Sequence, residues 1–320
     1  MKILITGATG YIGGAAARAL GRAGHEVTGL ARSPQAADRL RHAGFGAVRG
    51  DFADPAGLAS AIAGFDAVVS TASVGSKAGD PDSFAHDRVA VRAMLAALAG
   101  SGKTLMFTSG SAVFGVFAGG GASATVFAED HPLPLAEALF APAAAEVHPM
   151  IAAGFGAAMK ARVQTEHDVL QANGVRGLVI RPGLVYGHGG SYDLPQMISA
   201  ARRLGAVPQH GAGHARQGYV HIDDLGELYR LALELAAAGD RLHGVTGEIS
   251  LGELARAIGK LLGLGVQPLS LAQMFHELGP VGVSMSLNKR LASQTTRRVT
   301  GWAPQRSDIL DDIGAGSYAA

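Results

Sequence analysis

A short apolar strand, Lys2-Ile3-Leu4-Ile5-Thr6, runs straight into glycines spaced three apart at Gly7, Gly10 and Gly13. The residues behind them, Ala15 to Leu20, read as helix. Strand, glycine turn and helix in that order leave few folds open, because they form the start of a βαβ unit built to meet a dinucleotide. Gly7 serves the tight turn. Gly10 lets backbone N–H groups approach a pyrophosphate, and Gly13 lets the helix lie close on the strand. The helix N-terminus adds partial positive charge for the phosphates. Thr9, Tyr11 and Ile12 lie between these glycines and belong to the same cofactor-binding set.

The second strand reads Glu26-Val27-Thr28-Gly29-Leu30-Ala31 and is followed by Arg32-Ser33. An NAD site usually has an Asp or Glu here, accepting from the ribose 2′-OH. A guanidinium cannot accept that bond but forks around a 2′-phosphate. Ser33 adds a donor. The expected cofactor is therefore NADP(H).

The bulk properties exclude several classes. A chain of 320 residues has room for a large core. Its formal charge is +1 and only 17% of residues are charged, so no basic stripe faces a nucleic acid. There is no cysteine, hence no disulfide, thiolate catalyst or zinc-thiolate site. The twelve histidines form no HxH or HExxH pair, so no metal is expected. No apolar run matches a membrane span, and Ile3 to Ile5 is too short for a signal peptide. The expected setting is cytoplasmic, and the expected partner is a small-molecule substrate.

Strand and helix patterns alternate through the first half. Strands are predicted at Lys2–Thr6, Glu26–Leu30, Ala47–Arg49, Ala67–Ser70, Thr104–Thr108 and Gly177–Ile180. Helices fall between them at Gly13–Ala23, Gln35–Ala43, Pro55–Ala63, Ser83–Ala99 and Ala152–Gln171. This rhythm predicts an α/β fold with a doubly wound parallel sheet, the Rossmann arrangement. After Arg181-Pro182 short segments dominate, with helices near Pro195–Leu204, Asp223–Ala236, Leu251–Leu262 and Leu271–His276. Residues 1–182, completed by about 220–240, are read as the dinucleotide-binding domain. Residues 183–219 and 241–320 are read as a smaller C-terminal substrate lobe. The Gly-, Ala- and Pro-rich stretch from Gly115 to Glu146 has no period and reads as a flap over the cleft or a long surface loop.

Several segments in order, TGATGYIG at 6–13, GDFADP at 50–55, STAS at 70–73, FTSGSAVFG at 107–115, IRPGLVYG at 180–187, VHIDDL at 220–225 and GWAP at 301–304, resemble the short-chain dehydrogenase/reductase superfamily in its extended or atypical, epimerase/dehydratase-like branch. The resemblance implies a contact of Asp51 with the adenine amine and Phe52 against its ring. It places Thr71, Ala72 and Ser73 beside the ribose and nicotinamide. It places the backbone of Pro182, Gly183, Leu184 and Val185 at the carboxamide. Asp223 or Asp224 would cap a helix where the chain returns to the main domain, and His221 and Asp223 read as structural.

The superfamily's usual catalytic set is a serine or threonine, a tyrosine, and a lysine four residues after it. Residues four apart share one helix face, so the lysine reaches both the phenol and the ribose. Here Lys160 is preceded four residues earlier by Gly156. A register anchored on Glu166 puts Arg162 at the lysine position and Ala158 at the tyrosine position. Gly110, flanked by Ser109 and Ser111, stands where the hydroxyl is expected. Lys160 or Arg162 faces the ribose, and the proton donor is displaced. Ser109, Ser111, His148, Tyr186, His188 and Tyr219 are its candidates.

The expected function is therefore NADPH-dependent oxidoreduction with a non-standard proton donor. A catalytically silent NADP(H) sensor, or an isomerase or dehydratase using bound nucleotide, stands beside it. Phe114, Phe155, Met159, Tyr186, His188, Met197 and Tyr219 are the expected substrate contacts. Their mainly apolar character suits a small ketone, aldehyde or conjugated carbonyl. The alanine-rich helices at 83–99 and 152–171 suit a homodimer seam.

Overall fold

The computed structural model describes residues 1–73, 83–133, 139–140, 147–306 and 308–319. Its centre is a seven-stranded parallel sheet. The strands are β1 (Lys2–Thr6), β2 (Glu26–Ala31), β3 (Gly46–Arg49), β4 (Ala67–Ser70), β5 (Thr104–Thr108), β6 (Arg176–Pro182) and, much later, β10 (Arg241–Gly244). Across the sheet they run β3-β2-β1-β4-β5-β6-β10. The order reverses direction between β1 and β4, and in such sheets ligands bind at the carboxyl ends beside that reversal.

Alternation along β1 explains the layers. Ile3 and Ile5 join a core with α1 (Tyr11–Arg22), α2 (Pro34–His42) and α7 (Ile222–Leu235). Leu4 points the other way, into a core with α3 (Pro55–Ile62), α4 (Ser83–Leu98) and the end of α5 (Pro149–Leu170). Successive strand residues face opposite sides, so a strand apolar throughout needs helices on both.

The second lobe is built from short pieces: β7 (Leu184–Tyr186), α6 (Leu194–Leu204), β8 (Ala206–His210), β9 (Arg216–His221), β11 (Gly247–Ser250), α8 (Leu251–Leu262), β12 (Gly265–Leu269), α9 (Leu271–Leu278), α10 (Pro280–Met285) and α12 (Ile309–Gly314), while α11 (Gln294–Thr300) packs on α7 and β10 of the main domain. Strands β11, β9 and β7 form one small sheet, and β12 pairs with β8. Met197, Ile198, Val207, Leu254, Ile258 and Met274 meet in its core. Ser250 and Glu253 close a reciprocal cap on α8.

Two boundaries differ from the sequence reading. Residues 241–244, assigned to the smaller lobe, pair with β6 as the seventh strand of the main sheet. Trp302 also returns to the main domain. Its indole donates to Asp224 O at 2.8 Å, and its ring joins the core around α7.

The stretch 115–146 lies partly outside the described residues. Its described part is pinned rather than loose. Val116 bridges to Asn288 and Phe127 to Leu291. The Asn288 side chain accepts from Ser123 N and Arg216 N and donates to Gly121 O. Among the described residues, no helix is long and apolar enough to cross a membrane.

Candidate active site

The glycine turn is shaped by contact. Gly7 sits at φ +75°, a conformation that L side chains rarely adopt. A Cβ on Gly13 would lie 2.2 Å from Gly7 O and 2.5 Å from Thr71 Oγ1. Thr71 is the prop beneath this turn: its hydroxyl donates to Thr6 O at 2.7 Å, and Ala72 N donates to Thr6 Oγ1. The Thr71 side chain is thus directed under the turn. Thr9 and Gly10 are exposed, Tyr11 and Ile12 half-buried. Gly10, the N-cap of α1, offers no side-chain cap, so the first N–H groups of the helix remain open to an anion. This cradle fits a pyrophosphate.

Arg32 is exposed immediately after β2, the neighbour of β1 in the sheet. Ser33 caps α2 by accepting from Ala36 N at 3.2 Å, an arrangement that leaves its own proton to donate. Asp51 is exposed, with Oδ1 accepting from Ala53 N. Phe52 is buried in the outer core and lines a hollow of about 290 Å³ with Ala53, Pro55, His86, Val89 and Ala90. The Ser73 hydroxyl donates to Asp87 Oδ2 at 2.5 Å.

The other end of the cleft is the carboxyl end of β5. Ser109 and Ser111 are buried, and among the described residues Ser109 Oγ has no hydrogen-bond partner. The cation reaching this point is Arg162. Its Nη2 donates to Thr108 O at 3.4 Å and Ser109 O at 3.3 Å, and its guanidinium lies 4.3 Å above the Phe84 ring. Burial pulls its pKa down, while Asp87 and Glu166 push it up. Lys160 is exposed on α5. Two residues are about 200° on a helix, so Lys160 and Arg162 occupy opposite faces. Of the two candidates for the ribose, Arg162 is the one that lies against the end of β5.

Helix α5 is fixed by a buried pair. Arg181 Nη2 meets Glu166 Oε2 at 2.6 Å, and both side chains are almost fully enclosed. Arg181 Nη1 lies 3.3 Å from His243 Nε2, while His243 Nδ1 donates to Ala292 O at 2.8 Å. Burial and the adjacent guanidinium push His243 down to about 3. Tyr229 and Thr108 share a hydrogen bond of 2.6 Å beneath the same strand.

Most expected substrate contacts are core residues. Phe114 is fully buried, stacked on Phe127 at 4.8 Å with Arg181 over its ring. Met197 is fully buried in the small lobe. Phe155 and Met159 belong to the cluster joining α5 to Val283, Leu287 and Leu291. Pro182, Leu184 and Val185 are buried and Gly183 is half-buried. Tyr186 is 1% exposed within a cluster of Tyr219 and His221 rings, and burial raises its pKa. The Tyr219 hydroxyl donates to Asp308.

His148 caps α5 by accepting from Met150 N. His188 is exposed, with Nε2 3.0 Å from Asp223 Oδ2. His221, not Asp223 or Asp224, caps α7, accepting from Asp223 N. Although His188, His221 and Asp223 bring ligand atoms within 4.8 Å of one another, Arg306 already pairs with Asp223 Oδ2 at 2.9 Å.

Sequence reasoning did not single out Asp193, Gln217 or Lys289. Lys289 is buried and donates to Ser284 Oγ, and burial pushes it down to about 8. Burial raises the neighbouring Asp193. Gln217 Oε1 is buried without a hydrogen-bond partner among the described residues.

An uncapped helix behind a three-glycine turn, at the reversal of a doubly wound parallel sheet, defines a dinucleotide-binding enzyme fold. The chain matches the NAD dependent epimerase/dehydratase family over residues 3–245 and belongs to it. That membership supports NAD(P)-dependent oxidoreductase, epimerase or dehydratase chemistry. It is 30% identical to an uncharacterized protein of Schizosaccharomyces pombe, over 99% of this chain and 100% of that one. It is 27% identical to 2-alkyl-3-oxoalkanoate reductase of Stenotrophomonas maltophilia, over 93% of this chain and 81% of that one. Its fold is similar to that of Thermus thermophilus UDP-glucose 4-epimerase solved with NAD. The TM-score is 0.73 at 20% identity, covering 100% of this chain and 98% of that one.

Proposed function

We propose that the protein is an NADP(H)-dependent reductase of a small, mainly apolar carbonyl compound. The observation that carries this reading is the cleft itself, with a pyrophosphate cradle at one end and Arg162 beside the unpartnered Ser109 hydroxyl at the other. The glycine turn and the α1 N-terminus hold the phosphates. Arg32 and Ser33 hold the 2′-phosphate. Asp51 meets the adenine amine, with the hollow beside Phe52 taking the ring. Arg162 replaces the lysine at the ribose, and Ser109 takes over from Gly110 in polarising the carbonyl oxygen. The bound nicotinamide supplies the hydride, and the protein supplies orientation and electrostatics. The similarity to a 3-oxoalkanoate reductase favours a carbonyl with alkyl substituents. A homodimer seam through α4 and α5 belongs to the same proposal, with Val89 and Met150 exposed on these helices.

One observation favours a second reading. Neither Gly110 nor Ala158 carries a hydroxyl, as suits a protein that binds NADP(H) without turning it over. A single experiment separates the two. NADPH binding is followed by fluorescence, and NADPH oxidation is followed with 3-oxo esters, apolar ketones, aldehydes and enones. Binding with saturable oxidation supports the reductase. Tight binding without oxidation by any compound favours the sensor. Turnover of nucleotide-sugars alone overturns the substrate class.

A further inference from the structure

We propose that Phe84 is the positioning residue of this cleft, its ring holding the Arg162 guanidinium against the end of β5. The inference rests on the reading that puts Arg162 at the ribose, and it names the contact that keeps the cation there.

Two side-chain locks bring the pair together. Glu166 follows Arg162 by four residues and so shares its face of α5. The bond from Arg181 of β6 to Glu166 turns that face toward the sheet. Arg88 stands one turn after Phe84 on α4. It donates to Asp168 at 2.7 and 3.3 Å and to Gln164 at 2.7 Å, both on α5. These bonds set α4 beside α5 with Phe84, half-buried, next to Arg162. Phe84 also packs against the cluster of Phe155 and Met159, which restrains its ring.

The distances single out the Phe84 contact. The guanidinium carbon lies 4.3 Å from the centroid of Phe84 and 5.9 Å from that of Phe107. A cation–π contact reaches to about 6 Å, so the first is well inside that range and the second at its edge. The bonds to Thr108 O and Ser109 O both come from Nη2, at 3.4 and 3.3 Å. Both are longer than the roughly 2.7–3.2 Å of a full-strength N–H···O bond. Among the described residues, these two carbonyls and two rings are the bonded and stacked partners of Arg162. A ring face suits a guanidinium, which is planar and weakly hydrated, better than an ammonium. It therefore suits arginine at 162, where the superfamily's usual set has lysine.

The test pairs a resonance of the free protein with cofactor affinity. The Nε–H resonance of Arg162 is recognised by its loss in Arg162→Gln. Its ring-current shift is expected to vanish in Phe84→Leu and to persist in Phe84→Tyr. A cation already in place spares NADPH the cost of ordering it. Phenylalanine carrying one, two and three ring fluorines at position 84 nearly keeps its size while its negative face is drained. The NADPH dissociation constant is expected to rise stepwise along this series, by about 5–30-fold in all. The same series in Arg162→Gln is expected to stay level. A level series with Arg162 present, where Arg162→Gln alone weakens NADPH, overturns the proposal and leaves Arg162 at the ribose. A resonance that Phe84→Leu does not move overturns it as well. If Arg162→Gln changes neither NADPH affinity nor turnover, the reading of Arg162 falls and takes the proposal with it.

Discussion

Two glycines at opposite ends of the cleft carry opposite constraints. At Gly13 a Cβ would lie 2.2 Å from backbone, so the residue is glycine because the strand and helix touch there. At Gly110 an added Cβ meets nothing within 4 Å among the described residues, and the backbone is ordinary extended chain at φ −177°. One position is closed by packing and the other is open. The cofactor end is therefore held by shape. The end that would normally carry a hydroxyl is unconstrained, and the proposed reading hands its chemistry to Arg162 and Ser109. Conserving a fold and conserving a catalytic set are separate demands on a chain.

The largest expected effect breaks the closed side. Gly13→Ala must displace the Gly7 carbonyl or the Thr71 prop, and overpacking of this kind costs about 1–3 kcal/mol. NADPH affinity is expected to fall by about 100-fold or more, equivalent to about 2.7 kcal/mol, with a lower Tm. Fluorescence titration and thermal unfolding check both.

The open side depends on buried charge, and that makes it sensitive to acid. His243 is held near 3 in the fold against an ordinary value of about 6.5. The unfolded chain thus binds the extra proton in that window. The His243 contribution to stability is complete above pH 6.5 and is lost at up to about 1.4 kcal/mol per pH unit as pH falls toward 3. Urea unfolding between pH 7.5 and 5 should show this slope, and His243→Gln should flatten it.

A smaller effect sharpens the cofactor end. Arg32→Asp removes a charged donor from the 2′-phosphate, a bond of about 1.5–3 kcal/mol. The ratio of NADH to NADPH dissociation constants should fall by about 10–100-fold. An unchanged ratio would mean that Arg32 does not select the cofactor. The smallest effect is expected at the open glycine. Gly110→Ser should change stability by no more than about 0.5 kcal/mol, as read from the urea midpoint.

The sequence disclosed what local periodicity encodes. β1, β4 and β5 match their expected limits because both faces are covered and the runs are uniformly apolar. The small lobe was less legible. β7 has three residues and pairs with β9, some thirty positions later, so no local pattern announces it. β10 was missed for the same reason, since its partner β6 lies about sixty residues earlier. At the site, apolar residues near the cleft were read as substrate contacts, but apolarity is equally the mark of core. Phe114 and Met197 are both fully buried. Which of Lys160 and Arg162 lies against β5 depends on the helix phase, which the Glu166–Arg181 pair sets across two elements.

The most direct measurement uses NADPH carrying deuterium at the transferable C4 position, incubated with the wild-type protein and an alkyl 3-oxo ester. The account predicts deuterium on the carbinol carbon of the product, in proportion to the NADPH consumed. Tight NADPH binding with no deuterium in any product would contradict it.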